Sequence, residues 1–177
     1  IAATRAAIGW PRAAFEIPAD VYEYWDGRSK GAAAQAEWEQ RFAAYQAEYP
    51  ALATELARRL RRELPAHFDE LAQELLNKTQ AAAQTVATRK ASQLAIEGLV
   101  DGLPEMLGGS ADLTGSNLTN WPGVVAVRAT DDGVQFGRHI NYGVREFGMA
   151  AVMNGMALHG GYLPFGGTFL TFSDYSR

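Results

Sequence analysis

Cysteine is absent from all 177 residues of this chain. Disulfides and thiolate-held metals are therefore excluded, and a reducing cytoplasm is the compartment expected. Histidine is scarce: His67, His139 and His159 are the only three, and no pair has metal-ligand spacing. Long apolar runs are missing too, since no stretch approaches the roughly 20 residues that a helix needs to cross a bilayer. Nor is there an excess of positive charge. A formal net charge of -4 offers no general attraction for nucleic acid or an anionic membrane, so neither is an expected partner. The one basic cluster, Arg58, Arg59, Arg61 and Arg62, lies among Leu56, Leu60 and Leu64 and reads as a solvated helix face.

What the chain does hold is ordinary in amount and uneven in arrangement. An apolar content of 47% with 20% charged residues suits a globular protein with a substantial core. Its first part has helical periodicity. Within 32–48, Trp38, Phe42 and Tyr45 recur at spacings of four and three, which predicts an amphipathic helix. Pro50 suits a first helical turn, and Leu52, Leu56 and Leu60 carry that helix onward. Pro65 is expected to start another, striped by Phe68, Leu71, Leu75 and Leu76. These stripes read as core or inter-helix packing, and residues 1–78 show no chemistry of their own. An Ala/Gln/Thr-rich linker is placed at 79–87.

Beyond the linker glycine punctuates the chain. A helix is predicted from Thr88, its N-cap, to Val100. Strands are expected near Met106 and Leu107, over 124–129, over 138–141 and over 162–165. Asp132-Gly133 signals a turn, and a helix opens at Glu146. Alternating strands and helices argue an α/β class with a parallel sheet flanked by helices, preceded by an all-helical segment.

Several residues stand out chemically. Glu146 is followed by an element without Asp, Glu, Lys or Arg from Phe147 to Leu158, in which Gly148, Ala150, Ala151, Gly155 and Ala157 permit close approach of neighbouring backbone. An acid there complements the helix dipole, which by itself says no more. Arg89 and Lys90 oppose the dipole at a helix start, a mismatch that an anion at the same helix end relieves. Gly108-Gly109-Ser110 reads as a turn whose amides could face a ligand, with Asp112 capping the loop. Phe169, Phe172 and Tyr175 fall three apart, giving one aromatic flank on a short helix.

In chain order, Ala87-Thr-Arg-Lys-Ala-Ser92, Leu107-Gly-Gly-Ser-Ala-Asp-Leu-Thr-Gly-Ser-Asn-Leu-Thr119, Asn141-Tyr-Gly-Val-Arg-Glu-Phe-Gly-Met149 and Gly161-Tyr-Leu-Pro-Phe-Gly-Gly-Thr-Phe-Leu-Thr-Phe172 resemble the transketolase family. Ile8-Gly-Trp10, Phe15-Glu-Ile-Pro18 and Trp25 extend the likeness to the start of the chain. The resemblance implies a thiamine-diphosphate-binding fold and transfer of a two-carbon ketol unit between sugar phosphates in the pentose phosphate pathway. It implies that Glu146 is the catalytic carboxyl, hydrogen-bonded to a ring nitrogen of the cofactor's aminopyrimidine. Phe172, with Phe169 and Tyr175, would surround that ring, and Asp112 would reach the cofactor's edge. Arg89 and Ser116 would bind the substrate's terminal phosphate. Thiamine diphosphate with Mg2+ or Ca2+ is the implied cofactor, and a homodimer with its active site at the subunit interface is the implied assembly.

One family element is missing: a Gly-Asp-Gly followed at a distance by asparagine, which holds the metal and the diphosphate. Trp25-Asp-Gly27 and Val100-Asp-Gly102 lack its leading glycine, so the metal ligands are expected outside this chain. Residues 1–78 then correspond to the helical tail of a diphosphate-binding domain and residues 88–177 to the first part of a pyrimidine-binding domain. Such a piece holds half a site and is inactive alone. A dihydroxyacetone synthase, a phosphoketolase or a non-catalytic binding module is the alternative.

Overall fold

The computed structural model describes residues 1–177, which divide into two compact units, Ile1–Ala53 and Thr54–Arg177. The regular elements of the first unit are all helices: α1 (Ala2–Ala7), α2 (Ala19–Trp25), α3 (Arg28–Glu48) and the opening of α4 (Pro50–Leu60). Asp26 accepts the backbone N–H of Arg28 at 3.0 Å, which satisfies one of the orphan donors at the start of α3. Pro50 is the first residue of α4, as its fixed φ and missing N–H favour. The expected stripe on α3 is present but unburied. Trp38 and Phe42 stack at 5.0 Å and Tyr45 packs on Tyr49 at 5.3 Å, yet α3 buries no residue and Trp38 stays half exposed.

The second unit continues with α5 (Phe68–Ala82), α6 (Thr88–Leu99), β1 (Met106–Ser110), α7 (Thr114–Asn117), β2 (Arg128–Thr130), β3 (Gly133–Gln135), β4 (His139–Asn141), α8 (Glu146–His159) and β5 (Leu163–Gly167), and a 3-10 helix closes it over Leu170–Ser176. The predicted parallel sheet is there, in the order β4-β1-β5. Gly108 lies opposite both His139 and Phe165. Three strands with crossover helices form the α/β unit that the alternation predicts.

Several local expectations are corrected. Thr88 is the first helical residue of α6, and Ala87 occupies the cap position without a side-chain bond. Gly108-Gly109 is not a turn but the middle of β1. A Cβ on Gly108 would collide with the Phe165 carbonyl and one on Gly109 with the Ile140 carbonyl, so only glycine lets the three backbones meet. The valine-rich stretch 124–129 does not form a sheet strand. Its end pairs in a small antiparallel hairpin, β2 with β3, turning through Asp132-Gly133, and only Ala126 bridges to His139. Val125 spends its carbonyl on the amides of Arg138 and His139, which leaves no regular ladder.

Side-chain alternation along β5 divides the core. Phe165 joins Ile96, Val100 and Trp121, whereas Gly166 faces Met149 and Met153, part of a second cluster with Ala111 and Tyr142. Arg138 fastens the first cluster. Its guanidinium donates to the Val100 carbonyl at 2.5 Å, where α6 ends, and lies 5.5 Å above the Trp121 ring, so it satisfies an orphan carbonyl and adds a cation–π contact.

The arginine cluster is only half a solvated face: Arg61 and Arg62 are exposed, but Arg58 and Arg59 are not. Arg58 is 13% exposed and forms a two-pronged pair with Glu105, itself 5% exposed, at 2.9 and 3.0 Å. It also bonds Glu55 at 2.7 and 2.8 Å and the Glu63 carbonyl, so all five guanidinium N–H groups are committed. Hydrogen bonds from Arg58 and Arg59 hold the Glu55 carboxyl at about 2. Burial opposes the charged form of Glu105, but its bonds to Arg58 and the charges of Arg58 and Arg59 prevail and leave it below the ordinary range. Breaking a buried pair by removing one partner costs about 3–5 kcal/mol. Arg58→Ala is therefore expected to lower unfolding free energy by about 3 kcal/mol in urea titrations near neutral pH. Both carboxyls are depressed, so their stabilisation is complete above the unfolded value of 4.5 and is lost as pH falls towards about 2. The acid limb of stability should flatten in Arg58→Ala.

Candidate active site

The carboxyl ends of β1 and β5 converge on one fully buried hydroxyl. Ser110 Oγ donates to the Gly167 carbonyl at 3.0 Å and accepts from the Leu113 amide at 3.1 Å and from Asn117 Nδ2 at 2.9 Å. The Tyr142 amide, just after β4, donates to the Ser110 carbonyl at 3.2 Å. From this anchor the chain turns through Asp112, whose φ of 62° is left-handed, into α7, which ends at Leu118 with φ 59°. That short helix carries Ser116. Gly167 must be small, because a Cβ there would press on Thr119 and Asn117.

An open cleft of about 830 Å³ lies against this corner, at the strand ends where open α/β sheets take ligands. Its walls include Arg89 and Ser92 of α6, Ser116, Thr119, Thr168 and Phe169. Three of the expected site residues, Arg89, Ser116 and Phe169, are thus brought together. Asn117 Oδ1 and Thr119 Oγ1 are buried here without a protein partner. Lys90 turns away from the cleft and donates to Gln93 at 2.8 Å, so Arg89 is the cation of the pair that faces it.

Glu146 is the first residue of α8 and is 9% exposed. Its Oε1 accepts a hydrogen bond from Thr168 Oγ1 at 3.1 Å, which links it to the cleft wall without making it part of the lining. Arg145 sends its guanidinium back to the Tyr142 carbonyl at 3.0 Å rather than to Glu146. Phe172 and Tyr175 extend from the cleft as a row. Phe169 and Phe172 stack at 6.0 Å and 19°, and Phe172 meets Tyr175 at 6.3 Å. Three residues per turn of a 3-10 helix eclipse positions i and i+3, which brings Phe172 and Tyr175 together at an interplanar angle of 48°.

Asp112 departs from its expected capping role. Leu113 is the N-cap of α7, with no side-chain cap bond, and exposed Asp112 serves the turn through its backbone. Two residues escaped sequence reasoning, Ser110 and Thr168. Both read as small polar members of glycine-rich runs, and the one available signal was period two along β5, which sets Thr168 on the same face as Gly166. No group of three or more His, Asp or Glu side chains is gathered as metal donors.

Comparison with known proteins bears on both units. Residues 84–177 match the family model described as transketolase, pyrimidine binding domain. Residues 1–65 match that described as transketolase, thiamine diphosphate binding domain. A plasmid-encoded transketolase of Cupriavidus necator is 56% identical over 177 residues, covering 100% of this chain and 26% of the relative. Transketolase 2 of Vibrio vulnificus is 51% identical with the same coverage. Among solved structures, a transketolase from Pichia stipitis in complex with sedoheptulose-7-phosphate superposes with TM-score 0.77 at 38% identity, over 97% of this chain and 26% of that one. A transketolase from Leishmania mexicana gives 0.74 at 35% identity, over 97% and 25%. The chain spans about a quarter of the length of the curated relatives it matches.

The Ser110 corner makes its own prediction. Ser110→Ala leaves the Gly167 carbonyl short of one donor and Asn117 short of its acceptor. Unfolding titrations are expected to show a loss of about 1–3 kcal/mol.

Proposed function

This chain belongs to the transketolase family, and on that premise we propose that its residues form part of a thiamine-diphosphate-dependent ketol transferase. The observation that carries the reading is the single cleft that unites Arg89, Ser116 and Phe169, with buried Glu146 hydrogen-bonded to its wall. Domain limits follow the same reading: 1–78 as the tail of the diphosphate-binding domain, 79–87 as linker, of which 79–82 are the last turn of α5, and 88–177 as the first part of the pyrimidine-binding domain.

The side chains suit the cofactor. Glu146 uses one carboxylate oxygen on Thr168, and Oε2 remains to pair with a ring nitrogen. Stacked Phe169 and Phe172, with Tyr175 tilted against Phe172, offer flat apolar surface to a heterocycle, with Phe172 at the centre. When bound, thiamine diphosphate supplies the chemistry by which a two-carbon unit leaves a ketose phosphate and joins an aldose phosphate. This chain's part is to orient the pyrimidine, hold or release a proton at Glu146 Oε2, and grip the substrate. Arg89 and Ser116 grip a terminal phosphate, aided by the free amides that open α6. Asp112 is assigned to the cofactor's edge. The divalent ion, Mg2+ or Ca2+, takes its ligands outside this chain.

The partner proposed is a second copy, with the active site completed between subunits. Support comes from α8, whose Phe147 and Leu158 are 67% and 78% exposed on a helix without a charged residue after Glu146, since such apolar surfaces mark association sites. The pentose phosphate pathway is the proposed setting. The cytoplasm is the proposed compartment, in keeping with the lack of cysteine.

Two substitutions test the reading in the enzyme that contains this chain. Glu146→Ala is expected to reduce ketol transfer by about 10²–10⁴-fold with an unchanged melting curve, and near-normal turnover would sink the assignment. Arg89→Ala should raise KM for phosphorylated sugars about 10-fold or more, as loss of a charged hydrogen bond implies. An equal effect on unphosphorylated sugars would remove the phosphate role.

A further inference from the structure

The environment of Glu146 names a residue whose role lies in orienting it. Glu146 stands at the first position of α8, where several side-chain torsions separate the carboxyl from the backbone. Its one hydrogen bond comes from Thr168 Oγ1, 3.1 Å from Oε1 and 22 residues away in the chain.

Thr168 is held to that task from three directions. First, it follows β5 in the same alternation as Gly166, so it lies on the face turned to α8. Second, α8 lies close on that face. A Cβ on Gly166 would come within 2.7–2.8 Å of the sulfurs of Met153 and Met149, so the helix cannot slide without losing its seat on the strand. Third, the preceding Gly167 carbonyl is fixed by the Ser110 hydroxyl and the Ala111 amide, which sets where Thr168 begins. A β-branched side chain is stiff at χ1, so its hydroxyl is presented in a defined direction. Thr168 also lines the cleft. It therefore stands between the carboxyl and the space where a ligand would sit.

We propose that Thr168 is the positioning residue for Glu146: by holding Oε1 it rotates the carboxyl so that Oε2 faces the bound pyrimidine. The inference rests on the reading of Glu146 given under Proposed function. It assigns to the hydroxyl, not the methyl, the work of selecting one carboxyl orientation before the cofactor arrives. Prior orientation of this kind raises affinity and turnover together, because the ligand does not have to order the side chain itself.

The test uses the cofactor-loaded enzyme with three substitutions. Thr168→Val keeps the shape and removes the hydroxyl, Thr168→Ser keeps the hydroxyl and removes the methyl, and Glu146→Gln is the reference. Four quantities are measured: the thiamine diphosphate dissociation constant by calorimetry, the near-UV circular dichroism of the bound pyrimidine, kcat, and KM for the ketose donor. Thr168→Val is expected to weaken cofactor binding and lower kcat by about 10-fold each, the scale of one hydrogen bond to a charged group. KM for the ketose should not move, and the circular-dichroism signature should be altered. Thr168→Ser should recover both affinity and kcat to within about 3-fold of the parent.

Two results overturn the proposal: parental values in Thr168→Val, or a Thr168→Ser variant as impaired as Thr168→Val. If Thr168→Val does not fold, the serine variant decides, since a purely packing role predicts that it fails. Glu146→Gln separates the two levels. If it retains parental turnover and dichroism, the role of Glu146 falls and that of Thr168 with it. If it is inactive while Thr168→Val is normal, only the role of Thr168 falls.

Discussion

A single buried hydroxyl sets the geometry on which the cleft depends. Ser110 Oγ is used three times, by the Gly167 carbonyl, the Leu113 amide and the Asn117 side chain. Those partners lie on β5, on the turn after β1 and on α7. That junction relates Ser116 on α7 to Thr168 beyond β5, together with the bond from the Ala111 amide to the Gly167 carbonyl. Buried polar groups are costly unless fully satisfied, so this hydroxyl has one workable arrangement. Its neighbours inherit that uniqueness, and a site that must place several side chains within fractions of an ångström needs such an origin.

The unit from Thr54 onward handles charge and apolar surface in separate places. Its densest ionic contact, Arg58 with Glu55 and Glu105, ties the end of α4 to the residue just before β1. The apolar weight lies in two clusters divided by β5. Near the cleft, by contrast, polar atoms such as Asn117 Oδ1 and Thr119 Oγ1 are left without protein partners. Two of the four buried unpartnered side-chain atoms thus lie at the cleft, the other two being His139 Nε2 and Tyr142 OH, while the densest ion pairs lie away from it. Such a division is expected if function tolerates local cost that the rest of the unit offsets.

How much could be read from the chain depended on how far apart partners lie. Helices α4, α5 and α6 carry their own apolar periodicity and were legible. So were β1, β4 and β5, because strand and helix patterns alternate. The valine-rich stretch before β2 was misread, since β-propensity reflects the surface a strand packs on and here no continuous surface is available. Arg58 looked solvated like its exposed neighbours Arg61 and Arg62 because Glu105, which pairs with it, is 47 residues away. In the site, family resemblance singled out Glu146, Arg89, Ser116 and the aromatic residues, and Arg89, Ser116 and Phe169 line one cleft. Thr168 was not, since a threonine in a glycine-rich run has no local signal and its meaning comes from a carboxyl 22 positions earlier.

The glycine pair in β1 limits how this part of the chain can vary over generations. At Gly108 and Gly109 any Cβ would meet the backbone carbonyl of a neighbouring strand, and backbone cannot step aside as a side-chain tip can. Every amino acid that a single-nucleotide change in a glycine codon introduces carries a Cβ. Neither position therefore has a one-step neighbour that leaves the sheet undisturbed. Drift in this segment is confined to its flanks, and a change at either glycine would have to arrive together with a re-spacing of β4 or β5.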